Sequence, residues 1–208
     1  MKILNLYAGI GGNRKLWGNK HEVTAVELNS SIAYCYKDLY PYDTVVIGDA
    51  HEFLLNHFYE FDFIWASPPC QSHSRLRKIA ASTYYSNPHK NNGTKPIYPD
   101  MKLWQEIIFL QHHFKKNWVV ENVIPYYKPL IQPSFKLQRH LFWSNKFILE
   151  TNFESQKIDF NSNGKNEIKY EDISKYKFEG IKEKQVLRNC VQPELGKYIF
   201  EQVTGEKL

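Results

Sequence analysis

Residues 2–12 read KILNLYAGIGG, and residues 13–18 continue as NRKLWG. The stretch KILNLY is mostly apolar and stops at glycines, a pattern that predicts a short buried strand. AGIGG predicts a tight turn, and RKLWG predicts the beginning of a helix. A strand, a glycine-rich turn and a helix in this order are typical of the first unit of a nucleotide-binding α/β domain.

Strands and helices continue to alternate along the chain. Further strands are predicted in HEVTAVELN (21–29), TVVIGDA (44–50), FDFIWASPPC (61–70), NWVVENV (117–123), LQRHLFWSN (137–145) and KFILE (146–150). Helices are predicted at 30–40, with Ser30 or Ser31 as the N-cap, at 51–59 and at 100–115. This alternation predicts an α/β fold with a Rossmann-like, doubly wound and mostly parallel sheet.

Composition limits the size and the setting of the protein. The chain has 208 residues and a formal net charge of +5, which suits one domain and weakly indicates an anionic partner. Its three cysteines, Cys35, Cys70 and Cys190, have no paired spacing, which argues against a disulfide framework and a zinc site. The sequence has no signal-peptide pattern and no apolar run of about 18 residues. We therefore expect a cytoplasmic protein with no membrane segment and no metal.

The domain organisation is predicted to be simple, with residues 1–208 forming a single domain. The stretch 145–185 is mainly polar and rich in Lys, Glu and Asn, and we interpret it as an insert or small lobe. Residues 186–208 predict a loop and a helix that return to the main domain.

Carboxylates lie where the predicted strands end. Glu27 ends the second strand and Asp49 ends the third, while Gly9 lies in the turn after the first. In open α/β sheets, ligands bind at the carboxyl ends of the strands, where Glu27 would suit ribose hydroxyls and Asp49 an adenine amino group. Glu27 could also be a surface residue and Asp49 a helix N-cap. Together, the three features favour a nucleoside ligand.

The sharpest local feature is SPPCQ, in which Cys70 follows two prolines at a predicted strand end. A lone cysteine is usually a small core residue. Here the stiff proline corner would hold the thiol at the ligand edge of the sheet. A cysteine becomes a strong nucleophile when its pKa is lowered, and the nearby cations Arg75, Arg77 and Lys78 could contribute to this.

Glu121 and Asn122 end another predicted strand at the same edge. A carboxylate beside a nucleophilic cysteine could act as a general acid, and burial would raise its pKa and let it donate a proton. The alternative is a structural glutamate that caps the next loop.

Residues 72–99 contain basic residues and no acidic residue. This composition suits a mobile loop that closes over phosphates, and it suits a solvated surface loop equally well. The position directly after Cys70 favours the first interpretation.

Seven segments resemble, in order, the motifs of the cytosine-5 DNA methyltransferase family. They are LNLYAGIGG, VTAVELNSSIAYCY, VIGDAHEF, ASPPCQSHSR, WVVENV, LQRHLFWSN and LRNCVQPELGKYIFEQV. Several are short, but their shared order over most of residues 2–203 is specific. The resemblance implies a small form of the family, and its size suggests a phage or mobile-element origin and a bacterial or phage-infected host cell, as in restriction–modification.

The resemblance implies S-adenosylmethionine as the cofactor and double-stranded DNA as the partner. A cytosine would be flipped out of the duplex, Cys70 would attack carbon 6, and carbon 5 would take the methyl group. Glu121 would contact ring nitrogen 3, Asn122 would position the catalytic groups, and Arg139 would contact the base or hold the site together. Cofactor-binding residues are predicted at Tyr7, Ala8, Gly9, Gly11, Gly12, Glu27, Leu28, Asp49, Ala50, Pro69 and Asn189. DNA-binding residues are predicted at Gln71, Ser74, Arg75, Arg77, Lys78 and His140.

Three departures from the family pattern keep alternatives open. The nucleophile motif has Ser67–Pro68–Pro69 where Gly-Phe-Pro is common, and Arg139 precedes His140 where two spaced arginines are usual. The region 145–185 is also much smaller than the usual target-recognition domain, so specificity is low, or a compact lobe suffices, or a separate specificity subunit supplies it. The alternative functions are a catalytically idle DNA-binding or partner subunit of the same fold, and the same chemistry on RNA, single-stranded DNA or a nucleotide.

Overall fold

The structure is a computed structural model that describes residues 1–86, 94–149 and 173–208. Within these residues, one sheet of seven strands has the order β3-β2-β1-β4-β5-β7-β6. The strands are β1 Lys2–Leu6, β2 Glu22–Glu27, β3 Thr44–Ile47, β4 Phe63–Ala66, β5 Asn117–Val123, β6 Phe135–Leu137 and β7 His140–Ser144. The first five are parallel, and β7 runs antiparallel to both β5 and β6. The predicted fold class is confirmed.

Helices pack on both faces of this sheet. They are α1 Ser30–Leu39, α2 Ala50–His57, α3 Arg75–Ser86, α4 Lys102–His113, α5 Glu183–Arg188 and α6 Pro193–Thr204, and Phe58–Glu60 forms a 3-10 turn. Leu4 and Ile64 enter a core shared with α2 and α4. Their neighbours Ile3 and Phe63 enter a second core shared with α6. Successive side chains of a strand point to opposite faces and both faces are covered, so β4 is apolar throughout and β1 is apolar except for the exposed Lys2 and the buried Asn5.

The order of the sheet reverses between β1 and β4. The chain adds β2 and β3 on one side of β1 and then places β4 and β5 on the other side. At such a switch point the turns that follow the two central strands leave a crevice at their carboxyl ends. Here those turns contain the glycine-rich segment and the Pro-Pro-Cys segment.

Helix α6 packs closely against the turn after β1. A Cβ added at Gly196 would lie 2.6 Å from the backbone oxygen of Asn13, so this approach requires glycine. The indole nitrogen of Trp17 donates to the Gly196 carbonyl at 3.4 Å. The C-terminal helix therefore supports the first turn of the ligand edge.

The helix predicted at RKLWG is wrong, because residues 13–17 form turns. Arg14 is 2% exposed and donates two hydrogen bonds of 2.9 Å to Asp43. Trp17 is fully buried and stacks on Phe200. These distant contacts outweigh the local helix propensity.

Two further predictions of local structure are wrong. The N-cap of α1 is Asn29, whose side chain accepts a hydrogen bond from the Ile32 amide at 3.2 Å, rather than Ser30 or Ser31. Residues 146–149 of the predicted KFILE strand have no regular structure, and residue 150 lies outside the described residues.

The mobile loop predicted at 72–99 is wrong for its first half, where α3 forms. The Ser74 hydroxyl accepts a hydrogen bond from the Leu76 amide at 3.2 Å and so caps the first turn. Residues 87–93 lie outside the described residues. Most of the predicted 145–185 lobe, residues 150–172, also lies outside them, so the lobe stays a prediction. None of the described helices is long and apolar enough to cross a membrane.

Candidate active site

A cavity of about 650 Å³ opens at the switch point, along the carboxyl ends of the central strands. Its wall contains most of the predicted cofactor residues, namely Tyr7, Ala8, Gly9, Gly12, Glu27, Leu28, Asp49, Ala50, Pro69 and Asn189. It also contains Cys70, Gln71, Glu121 and His140 from the other predicted sets. The glycine-rich turn after β1 and the Pro-Pro-Cys segment after β4 therefore line the same cavity.

Glu27 holds the glycine turn against the end of β2. One of its carboxylate oxygens accepts from the Gly9 amide at 3.0 Å, and the other accepts from the Asn29 amide at 2.9 Å. Gly9 has a φ of 55°, in the left-handed region that favours glycine. A carboxylate has about four lone-pair positions, so two backbone bonds leave Glu27 able to accept from ligand hydroxyls.

Gly11 is the predicted cofactor residue that does not reach the cavity wall. Its φ is 76°, and a Cβ there would lie 2.4 Å from the Tyr40 ring and 2.8 Å from the Tyr36 ring. Packing against α1 therefore explains this glycine. The sequence alone could not distinguish it from Gly9, because both belong to the same glycine-rich turn.

Asp49 is the helix N-cap that the sequence offered as one alternative, and it also lines the cavity, while its contact with adenine stays a prediction. One carboxylate oxygen caps α2 by accepting from the His51 amide at 2.8 Å, and the other accepts from the Lys102 ammonium at 2.8 Å. The hydrogen bond from Lys102 is the main cause that lowers the pKa of Asp49. Asp49 is therefore a fixed anion on the cavity wall.

Cys70 lies in the turn after β4, where its carbonyl accepts from the amides of His73 and Ser74 at 3.1 Å each. Burial, and then the charge of Glu121, raises the pKa of the Cys70 thiol to about 11. The cation whose charge lowers this pKa is Arg139. The resting side chain is therefore a neutral thiol at pH 7, contrary to the expectation that Arg75, Arg77 and Lys78 would activate it.

Glu121 faces the same cavity from the end of β5. Burial raises its pKa to about 7, opposed by a hydrogen bond from Ser67 and by the charge of Arg139. A group with this pKa is present in both protonation states at neutral pH, which suits a general acid. The raised pKa is the one expected from burial, and the role of proton donor stays a prediction.

His140 lies beside Glu121, with its Nε2 atom 3.7 Å from the Glu121 Oε1 atom. Burial, and then the charge of Arg139, lowers the pKa of His140 to about 3. The imidazole is therefore neutral at pH 7. The DNA contact predicted for His140 stays a prediction; the structure places its side chain on the cavity wall beside Glu121.

Two residues predicted to be catalytic, the buried Asn122 and the exposed Arg139, are not part of the described cavity wall. The Asn122 side chain donates to the Pro68 carbonyl at 2.9 Å and accepts from the Val123 amide at 2.9 Å. It fixes the proline corner that carries Cys70. The Arg139 guanidinium donates to the Arg188 carbonyl at 3.1 Å, so its influence on the cavity is through charge.

Four predicted DNA-binding residues lie outside the wall, at the start of α3 or just before it. Ser74, Arg75, Arg77 and Lys78 form this set. Arg77 donates to the Lys95 carbonyl at 3.0 Å. No residue of α3 is buried, and the helix begins five residues after Cys70, which is on the cavity wall.

Several wall residues were not predicted from the sequence. They are Asn13, Asn29, Ile32, Ser67, Pro68, Asp100, Lys102, Val123, Ile181, Val186, Cys190 and Val191. Ser67 could have been predicted from the sequence, because it directly precedes the two prolines at the strand end. Lys102 could not, since it lies on α4 and contacts Asp49 only because the folded chain brings the two together. Among the described residues, no cluster of three or more His, Cys, Asp or Glu could hold a metal ion.

The sequence model of one family, described as C-5 cytosine-specific DNA methylase, matches residues 1–128. The chain belongs to this methylase family. The matched region includes the glycine turn, Cys70 and Glu121, whereas Arg139, His140 and Asn189 lie beyond it. Membership confirms the family resemblance and implies S-adenosylmethionine as the methyl donor. The wall fits that ligand, because Glu27 and Asp49 supply acceptors and the left-handed turn at Gly9 lets the backbone approach closely.

Solved structures similar to this methylase-family chain include several methyltransferases. One is a mutant of Spodoptera frugiperda DNMT2, with 26% identity and a TM-score of 0.39, over 59% of this chain and 35% of that one. Another is a putative DNA modification methyltransferase encoded within an E. coli prophage, with 16% identity and a TM-score of 0.39, over 62% and 33%. Entamoeba histolytica EhMeth has 15% identity and a TM-score of 0.38, over 59% and 38%. The chain thus spans little more than a third of these proteins, and no curated protein sequence matches it.

Proposed function

We propose that the chain is a DNA cytosine-5 methyltransferase that acts through a covalent bond between Cys70 and the target base. The observation that carries this proposal is the shared cavity, in which Cys70 and Glu121 line the same space as Glu27 and Asp49. A nucleophile and a general acid beside a nucleoside site are what methylation of a base carbon requires.

The cofactor end would hold S-adenosylmethionine, which supplies an electrophilic methyl group when bound. Glu27 would accept hydrogen bonds from the ribose hydroxyls with the lone pairs that its backbone bonds leave free. Asp49 would accept from the adenine amino group. The neighbouring Leu28 and Ile32 would cover apolar ligand surface.

The base end would receive a cytosine that has been rotated out of the duplex. As the Cys70 thiol passes its proton to solvent, its sulfur would bond to carbon 6 of the ring, and Glu121 would donate a proton to ring nitrogen 3. The electron pair that this leaves at carbon 5 would form the new bond to the methyl group, whose bond to the sulfonium sulfur of S-adenosylmethionine breaks and leaves S-adenosylhomocysteine. A solvent water would then take the carbon 5 proton, the bond between carbon 6 and the Cys70 sulfur would break, and the proton on nitrogen 3 would return to Glu121, while the freed thiolate takes a proton from solvent.

This order of events fits a thiol whose pKa is about 11 in the resting protein. A protonated cysteine is protected from oxidation and from stray electrophiles. Attack then depends on the bound base, which must accept electron density as the proton leaves. Asn122 contributes by holding the Pro68 carbonyl and hence the turn that carries the sulfur.

The direct test measures transfer of the label after the chain is incubated with methyl-labelled S-adenosylmethionine and one substrate at a time: duplex DNA, single-stranded DNA, RNA or free cytidine nucleotides. We expect label in duplex DNA, located at carbon 5 of cytosine by bisulfite sequencing. If the labelled methyl group appeared only in one of the other substrates, the same chemistry would be assigned to that substrate instead of duplex DNA. A chain that binds the cofactor and DNA but transfers no label would be the idle subunit, and the proposed activity would be wrong.

We propose double-stranded DNA as the partner, contacted by the basic first turns of α3. Neutralising Arg75, Arg77 and Lys78 to glutamine should weaken DNA binding about tenfold at low salt. The slope of log affinity against log salt concentration should fall by about 2 to 3, because each lost phosphate contact removes about 0.9 from it. Fluorescence anisotropy with a labelled duplex at several salt concentrations measures both quantities.

A matched control removes the same charge from the opposite edge of the sheet. Lys2, Lys115 and Lys146 are exposed and lie near the amino ends of β1 and β5 and after the antiparallel β7. Their replacement by glutamine should change the salt slope by much less than one. Equal effects of the two triple variants would show that only net charge matters and would contradict a role for α3.

The source of target specificity is a separate proposal. Residues 145–185, of which Ile181 lines the cavity, or a separate subunit, would select the target sequence, since a cavity that held only the cofactor and one flipped base would not contact the neighbouring base pairs. Residues 186–208 would complete the cofactor pocket, in line with Asn189, Cys190 and Val191 on its wall.

A further inference from the structure

Helix α4 carries a glutamate inside the hydrophobic core. Glu106 is 0% exposed and shares its helix face with the core residues Leu103, Ile107 and Leu110. Burying a carboxylate is unfavourable unless it is hydrogen-bonded, and burial raises the pKa of Glu106. An apolar side chain would stabilise the core more than a carboxylate at this position, so the presence of Glu106 indicates a role other than packing.

The contacts of Glu106 lead to the cofactor end of the cavity. Its Oε1 atom accepts from the Tyr7 hydroxyl, and the same atom lies 3.0 Å from the Nδ1 atom of His51. Its Oε2 atom has no hydrogen-bond partner among the described residues. Tyr7 begins the loop that follows β1, and His51 lies at the start of α2, directly after the loop that follows β3.

Tyr7 is the residue at which the first of these loops leaves the sheet. Its φ is 55°, a left-handed conformation that is unfavourable for a residue other than glycine. It lines the cavity and directly precedes Ala8 and Gly9. A hydrogen bond that anchors its hydroxyl therefore helps to hold the turn that would receive the cofactor.

His51 lies in the first turn of α2, directly after the second loop. Its amide donates to the Asp49 carboxylate at 2.8 Å. One turn before Glu106 on α4, Lys102 donates to the other oxygen of Asp49 at 2.8 Å. Lys102 and Glu106, four positions apart on α4, thus hold the loop after β3 and the loop after β1.

We infer that Glu106 is a positioning residue for the cofactor end of the cavity, acting through Tyr7 and His51. The inference rests on the proposed function, because it takes S-adenosylmethionine as the ligand. Glu106 would not touch the ligand. It would keep the left-handed turn and the Asp49 carboxylate in a geometry that is ready for binding, which lowers the ordering cost on association.

Calorimetric titration of the full chain with S-adenosylmethionine tests this inference without measuring catalysis. Glu106→Ala should raise the dissociation constant about tenfold, and Tyr7→Phe should raise it by a similar factor, as expected for loss of one hydrogen bond to a charged group. The double variant should bind within about threefold of either single variant, because both changes break the same contact. Glu106→Gln keeps an acceptor for Tyr7 and should bind within about threefold of the unchanged chain.

Ile107→Val is the matched control, since it trims the adjacent core position of α4 and should leave the dissociation constant unchanged. Tyr7→Phe keeps the inference testable if Glu106→Ala does not fold. The inference is overturned if the folded Glu106→Ala and Tyr7→Phe variants bind like the unchanged chain, or if their effects simply add. An unchanged chain that bound no S-adenosylmethionine would overturn the proposed function, and this inference with it.

Discussion

Replacing Cys70 by alanine should abolish methyl transfer, with a loss of at least about 10⁴-fold in rate. Carbon 5 of cytosine is a weak nucleophile, and in the proposed mechanism a bond from Cys70, on the cavity wall, to carbon 6 activates it. Cys190 is the only other cysteine on that wall. Burial raises the pKa of its thiol to about 12, which makes it a poor substitute.

The same variant should bind S-adenosylmethionine within about twofold of the unchanged chain, because Cys70 is proposed to contact the base and not the cofactor. Labelled methyl transfer and calorimetry measure the two effects separately. Cys35→Ala is the matched control, since Cys35 is fully buried and does not line the cavity. If Cys70→Ala retained transfer, or if Cys35→Ala lost as much, the assigned nucleophile would be wrong.

Replacing Glu121 by glutamine should lower activity and raise stability at the same time. Removal of a general acid typically costs about 10²–10⁴-fold in rate. Burial raises the pKa of Glu121 from 4.5 to about 7 in the folded chain. Between these values the folded protein holds a proton that the unfolded chain has released, so the free energy of unfolding falls as pH rises through this window.

The size of the effect follows from the difference between the two pKa values. One unit corresponds to about 1.4 kcal/mol, so the ionised Glu121 should lower the free energy of unfolding by about 3 kcal/mol at pH 8. Glutamine does not titrate, so the Glu121→Gln variant should regain most of this lost free energy of unfolding at pH 8. Urea unfolding of both proteins at pH 5 and pH 8 measures the difference.

The comparison at each pH is needed because His140 acts in the opposite direction. Its pKa is lowered to about 3 in the folded chain, so its contribution makes stability rise with pH between about 3 and 6.5. Subtracting the Glu121→Gln values from the wild-type values removes this common term. An equal difference in stability at pH 5 and pH 8 would mean that Glu121 does not titrate in this range.

The sequence predicted the site well where polar residues follow the ends of predicted parallel strands. Parallel strands bring their carboxyl ends to one edge, so Glu27, Asp49, Cys70 and Glu121 could be predicted to share a site before any geometry was known. The motif order then indicated what these residues do together.

The sequence was uninformative where distant residues decide the structure. Arg14 leaves the predicted helix to pair with Asp43, and Glu106 meets Tyr7 across nearly half the chain. Gly11 looked like a ligand glycine, but the Tyr36 and Tyr40 rings explain it. Such contacts depend on how α1 and α4 pack on the sheet, which neither periodicity nor spacing specifies.

The most direct measurement asks whether sulfur and cytosine become bonded. A duplex with 5-fluorocytosine at every cytosine position is incubated with the chain and S-adenosylmethionine, and the products are denatured and analysed by mass spectrometry. Because fluorine cannot leave as a proton does, the elimination that frees Cys70 is blocked, and we predict a stable protein–DNA adduct mapped to the peptide that carries Cys70. Methyl transfer to ordinary duplex DNA without any such adduct, or an adduct that persists in Cys70→Ala, would contradict the account.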